Sequence, residues 1–143
     1  MIFRGRKLSE ITAKDLRRLI EDEVQEGDTL EYKHAMYGGS DDEKREMLKD
    51  ISSMANHLGG YLIIGIEEDA EGNPTNLGGI KKGNHVERVV GSCLDNIAKR
   101  IIGLEVEDVP LPNGDVIVVV FIPESTDAPH MVTFKGRNQF WKR

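Results

Sequence analysis

Two rhythms of apolar residues alternate along this chain. Leu16, Leu19, Ile20 and Val24 recur at helical spacing and predict a first helix over residues 8–24. Thr12 is its candidate N-cap, Asp15 lies in its first turn, and Gly27 marks its end. A short strand is expected over Asp28–His34. Ser40, with Glu43 three residues later, opens a second helix, and Met47, Ile51, Met54, Ala55 and Leu58 form its core stripe. Gly59-Gly60 stops that helix. The apolar run Tyr61–Ile66 then predicts a largely buried strand, followed by a turn-rich loop over Asp69–Pro74. Gly65, inside the apolar run, predicts close approach of another backbone. Val86, Val89, Val90, Cys93, Leu94, Ile97 and Ile101 give the apolar side of a third helix, capped by Asn84 and ending near Ile102. Asn113-Gly114 is a two-residue hairpin turn between strands Leu104–Leu111 and Asp115–Ile122. In the tail, Met131–Phe134 and Gln139–Lys142 can pair as a last small hairpin.

The resulting order is α-β-α-β-α-β-β followed by a short β tail. It predicts an α+β fold in which one mixed sheet carries packed helices. No linker interrupts the pattern, so residues 1–143 are expected to form a single domain, with residues 1–9 as a basic N-terminal extension. At 143 residues, 38% apolar and 31% charged, the composition is that of a globular protein that can bury a core without staples. Cys93 is the one cysteine, which excludes an internal disulfide and points to a reducing, cytoplasmic setting. The longest apolar run, Val116–Ile122, is far short of the ~20 residues a membrane span needs. The N-terminus has no apolar core of a secretory signal.

The net charge is −6, which argues against a purely electrostatic polyanion binder. The charge is uneven, however. Arg4, Arg6 and Lys7 at one end and Lys135, Arg137, Lys142 and Arg143 at the other flank a middle with 12 basic and 25 acidic residues. Basic ends on an acidic body suit local contact with phosphates; ordinary solvated termini are the alternative. Phe140-Trp141-Lys142-Arg143 interleaves rings and cations, a mix that suits stacking on bases, or else an edge strand whose rings pack on the core.

Glu26 and Glu31 flank the turn into the first strand, and Glu31 and Lys33 share one of its faces, opposite Leu30 and Tyr32. If the first two strands are parallel neighbours, Glu31, Lys33 and one of Glu67, Glu68 or Asp69 converge at their ends. Carboxylates so placed could hold Mg²⁺ or Mn²⁺ at a phosphodiester, with a lysine steadying the developing charge. A surface ion pair beside an acidic turn is the alternative. The strand is not followed by a glycine-rich phosphate loop, so a nucleoside triphosphatase is not expected. His34, His57, His85 and His130 have no metal-ligand spacing, Cys93 lies in a core stripe, and no serine sits in a nucleophile elbow. Asn56 is expected to lock the end of its helix.

Three blocks carry a resemblance. Glu26-Gly27-Asp28-Thr29-Leu30-Glu31-Tyr32-Lys33 resembles the E-S-x-x-x-E-F-K opening of the Schlafen-type, Alba-like domain, also described as a DNA-binding domain linked to divergent AAA proteins. Met54-Ala55-Asn56 followed by Gly59-Gly60-Tyr61-Leu62-Ile63-Ile64-Gly65-Ile66 is similar to its A-F-A-N-T-x-G-G-x-L-x-x-G-V block, and Pro123–Pro129 with Phe140-Trp141-Lys142-Arg143 to its close. The resemblance implies an Alba-like fold and nucleic-acid binding, of RNA or DNA, as a regulatory module that needs no cofactor. By analogy with Schlafen nucleases it also implies a possible three-carboxylate site for Mg²⁺- or Mn²⁺-dependent RNA cleavage. By motif position those acids fall on Glu26, Glu31 and Glu68, with Asp69 as the neighbouring substitute and Lys33 beside them. Schlafen nucleases pair two such lobes, so a homodimer would be required to build the same cleft; a non-catalytic dimerisation or scaffold domain is the remaining alternative. The hairpin over Glu105–Asp115 carries acids and no Lys or Arg, so contact is expected through Lys135, Arg137, Lys142 and Arg143 instead.

Overall fold

The computed structural model describes residues 2–3 and 5–143. Arg4 of the basic N-terminal stretch lies outside the described residues. A four-stranded mixed sheet forms the centre. Its strands are β1 (Leu30–Lys33), β2 (Gly60–Ile64), β6 (Glu105–Pro110) and β7 (Val116–Ile122), in the order β1-β2-β7-β6. β1 runs parallel to β2, with Leu30 opposite Tyr61 and Lys33 opposite Ile64, and the other two pairings are antiparallel. Because β7 is central, its unbroken apolar run is covered on both faces and six of its seven residues are buried.

Side-chain alternation divides the core between those faces. Leu62, Ile64, Val118 and Val120 meet Met47, Leu48, Ile51 and Met54 of α2 (Asp41–Ala55) and Val89 and Cys93 of α3 (His85–Asn96). Tyr32, Ile63, Ile117 and Val119 meet Leu16 and Leu19 of α1 (Ala13–Glu21). Each such aliphatic side chain, fully buried, contributes roughly 1.5–3 kcal/mol. The expected α+β architecture, helices packed on a mixed sheet, is the one observed. No helix among the described residues is long and apolar enough to cross a membrane.

Local chemistry sets the boundaries and corrects several of them. Thr12 and Asp15 form a reciprocal capping box, so the first helix starts at Ala13, and residues 8–10 make a separate 3₁₀ turn. It ends at Glu21 without glycine. Glu23 takes a left-handed φ of 50°, and Val24 and Glu23 donate to the Leu19 and Ile20 carbonyls, a Schellman turn. Gly27 instead closes a tight turn with Leu30, which shortens the first strand. Ser40 caps α2 by accepting from Glu43 N–H. Gly59 (φ 71°) and Gly60 (φ 134°) end it where an added Cβ would strike the Ile122 and Thr29 carbonyls. Gly65 lies against Gly79, whose N–H donates to its carbonyl at 2.8 Å.

Two features depart from expectation. The loop Asp69–Pro74 is the tip of a hairpin, β3 (Ile66–Glu68) with β4 (Pro74–Leu77). The third helix ends at Asn96, not near Ile102, because Ile97 and Ala98 form β5 and pair with β8 (Met131–Val132). Asn84 occupies the N-cap position of α3 without a side-chain cap bond. β8 also pairs with β9 (Gln139–Phe140), so the expected last hairpin is present as part of a three-stranded sheet, β5-β8-β9.

Candidate functional site

The parallel pairing of β1 and β2 brings the acidic residues of the first block to those after β2. Glu26 lies beside the outer edge of β1, where its Oε2 accepts the Tyr32 N–H at 2.9 Å. Glu68, at the end of β3, has its carboxyl close to that of Glu26. Partial burial, then this contact and the like charges of Glu26, Glu31 and Asp69, push the Glu68 carboxyl up to about 7. Glu31 is on the opposite face of β1, paired with Arg143: its Oε1 accepts from the guanidinium at 2.8 Å. Glu26, Gly27, Asp28, Glu31 and Arg143 line one open cleft of about 350 Å³.

Lys33 is not the partner of Glu31. Its ammonium lies 4.5 Å from the centre of the Tyr37 ring. Tyr37 in turn donates its hydroxyl to Asp50 Oδ2 at 2.5 Å. Asp69 turns away: its carboxylate accepts the Glu71 and Asn73 N–H groups, closes the β3–β4 turn, and is held below its ordinary range by those bonds. Of the two neighbouring acids, Glu68 is the one that lies near Glu26.

Mg²⁺ or Mn²⁺ needs several free carboxylate oxygens facing one point. Here Glu31 is committed to a guanidinium, and Glu26 spends one oxygen on Tyr32 N–H while meeting Glu68. No group of three or more His, Cys, Asp or Glu side chains among the described residues is arranged to hold a metal ion. The carboxylates as placed do not fit such an ion.

The C-terminal segment is fastened from a distance. Asn56 donates to the carbonyls of His130 and Trp141, both at 3.0 Å, and accepts the His130 N–H at 2.6 Å. Its side chain locks the tail, not its own helix end. His130 is fully buried, its ring between the Lys99 carbonyl and the Ser125 hydroxyl, a structural role. Arg143 also donates to the Gly27 and Asp28 carbonyls, and its side chain is only 15% exposed. That is a correction to its assignment as a free binding cation: it ties the tail to the turn before β1. Lys135, Arg137 and Lys142 are exposed.

A second set of cations escaped the sequence reading. Lys44 and Arg45 lie 5.7 and 5.4 Å from the Phe134 ring centre, and Lys49 lies 4.8 Å from that of Trp141. These α2 residues join the C-terminal cations in one basic surface, part of it over the buried Phe134 ring. Their helical spacing was visible, but the rings they meet are about 90 residues away in sequence. Cys93 is buried, its thiol pushed up to about 12 by desolvation, and is inert.

The family described as Schlafen, AlbA_2 matches residues 26–143. Comparison with curated proteins finds no match. Among solved structures, the chain is similar to the N-terminal domain of a RecG-related protein from Nitrosomonas europaea. The two are 20% identical with a TM-score of 0.63, over 93% of this chain and 88% of that one. It is also similar to part of the DIP2311 protein from Corynebacterium diphtheriae, at 15% identity and a TM-score of 0.54 over 90% of this chain. The chain spans about a quarter of that protein, 26% of its length. These likenesses agree with the fold built above, and the family match takes in both the acidic block at Glu26 and the basic tail. The chain belongs to the Schlafen AlbA_2 family.

Proposed function

We propose that this chain is a nucleic-acid-binding module with a regulatory role. The observation that carries the reading is the surface where Lys44, Arg45 and Lys49 of α2 adjoin Phe134, Trp141 and the exposed Lys135, Arg137 and Lys142. Cations supply phosphate affinity, and the buried Phe134 and half-buried Trp141 rings hold them in place from beneath. The family membership supports it, as does a structural neighbour described as related to an ATP-dependent DNA helicase. The acidic β6–β7 hairpin, with Glu105, Glu107, Asp108 and Asp115, lies outside the proposed contact.

Replacing Arg137 and Lys142 together by alanine is expected to weaken binding of labelled RNA or DNA. For two lost phosphate contacts, the slope of log K against log salt should flatten by about 1.4–1.8. Arg143 is left intact, because removing it would unpair Glu31. Titrations by fluorescence anisotropy over a salt series provide the measurement, and an unchanged affinity and slope would overturn the reading.

Binding without cleavage is the proposed activity, because Arg143 holds Glu31. Millimolar Mn²⁺ is accordingly expected to leave the melting temperature unchanged and RNA intact. A Mn²⁺-dependent rise in melting temperature that Glu26→Gln removes, accompanied by RNA degradation, would favour a metal-dependent endonuclease instead.

A further inference from the structure

We propose that the solvent face of the β5-β8-β9 sheet is a stacking platform for unpaired bases, so that the module takes single-stranded nucleic acid in preference to duplex. The proposal rests on the nucleic-acid reading above and names the form of ligand that its surface suits.

Register and alternation build the platform. Ala98 pairs with Met131, and Met131 with Phe140, so these three side chains form a row across the strands. The adjacent row, Ile97, Val132 and Gln139, points the other way, with Ile97 and Val132 buried. The first row therefore faces solvent: Ala98 is exposed and Phe140 is 58% exposed. Three strands spaced ~4.8 Å apart give a face roughly 10 Å across, room for one or two bases.

Cations bracket this row at both ends. β5 and β9 are each antiparallel to β8, so they run in the same direction. Lys99 and Arg100, which follow β5, therefore lie at the same end as Lys142, which follows β9. Lys135 and Arg137 sit in the β8–β9 connection at the opposite end. All five are exposed, and none is ion-paired among the described residues. Beyond β9 the alternation continues: Trp141 turns inward to Lys49 and the core, while Lys142 turns outward.

An apolar face carrying an exposed ring between two cationic ends matches a strand whose phosphates pass over the ends and whose bases lie flat between them. In a duplex those base faces are already stacked and out of reach of a ring fixed on a sheet. Phosphate contact alone would need no exposed phenyl group, and the rest of the chain, net negative, offers a long duplex little attraction.

The test uses the full chain and anisotropy titrations with labelled oligo-dT and oligo-U ten-mers and a ten-base-pair hairpin duplex. Single strands are expected to bind more tightly than the duplex. Phe140→Ala should weaken single-strand binding by roughly 5–150-fold, the range for one lost stacked base. Its salt slope should stay that of the native chain, since no phosphate contact is removed. Phe140→Trp should restore affinity, and circular dichroism should show both variants folded, because the ring stands in solvent.

Equal or tighter duplex binding, or a Phe140→Ala variant with native single-strand affinity, would overturn the platform. Binding that still depends on Arg137 and Lys142 would then leave the broader reading standing. Failure to bind any of the three probes would overturn both. Self-association that Phe140→Ala abolishes, with no change in affinity for the ten-mers, would assign this face to a second copy of the chain and overturn the platform.

Discussion

Asn56→Ala is expected to lower the melting temperature by about 6–15 °C and, with it, nucleic-acid affinity. The side chain makes three bonds to the backbone of a segment more than 70 residues away. Truncation leaves the His130 N–H and two carbonyls without partners, and His130 is fully buried. Such a loss costs about 2–4 kcal/mol, which at this chain length is a shift of several degrees per kcal/mol. Asn56→Asp preserves the shape and the bond from His130 N–H, but sets an oxygen against two carbonyls, so it should be nearly as damaging. The coupling to binding follows from geometry, because Trp141 and the strand before it hang on the same side chain. Thermal scans and anisotropy titrations on both variants check this. A variant melting within 2 °C of the native chain would show that the tail is held by other means.

The second large effect is a pH-dependent one at Asp50, on α2 beside the Tyr37 hydroxyl. Burial, and then the nearby charges of Glu31 and Glu46, raise its carboxyl to about 6, against the opposing pull of the Tyr37 hydroxyl and of Lys33. A raised carboxyl binds its proton more tightly in the folded state than in the unfolded one. Its stabilising contribution is therefore complete below the ordinary carboxylate range near 4 and is lost as pH rises through 6. Asp50→Asn removes the ionisation and can still accept the tyrosine hydroxyl. It is expected to match the native protein at pH 4 and to exceed it by about 1–3 kcal/mol at pH 7.5. Urea unfolding at the two pH values measures the gap. A gap of the same size at both would show that Asp50 ionises freely.

Much of this fold was legible because its signals are local. The Ser40 cap, the Gly59-Gly60 stop, the Asn113-Gly114 turn and the aliphatic run of β7 each announce a structure that forms within a few residues. What was missed depends on partners far along the chain. Ile97 and Ala98 continue a helical pattern, and only pairing with Met131 and Val132 draws them into a strand. β4 has one buried residue in four, too little for a periodic signal. The candidate site shows the same division. The motif spacing placed Glu26 and Glu68 in one neighbourhood, and they meet. It said nothing of the bond from Arg143 to Glu31, across 112 residues, which alters what that acid can do. Nor could it show that Lys44, Arg45 and Lys49 meet aromatic rings of the tail.

β1 ends the central sheet, and an edge strand with open amides is a template for adding another chain. This one has almost nothing left to offer. On its outer side Leu30 exchanges bonds with Gly27, and the Tyr32 amide is taken by Glu26. At the far edge, β6 presents Glu105, Glu107 and Asp108 and ends in Pro110, which has no amide to give. Both margins are thereby guarded against continuous sheets and fibrils. Two copies of this chain that associate are thereby kept from extending the central sheet edge to edge.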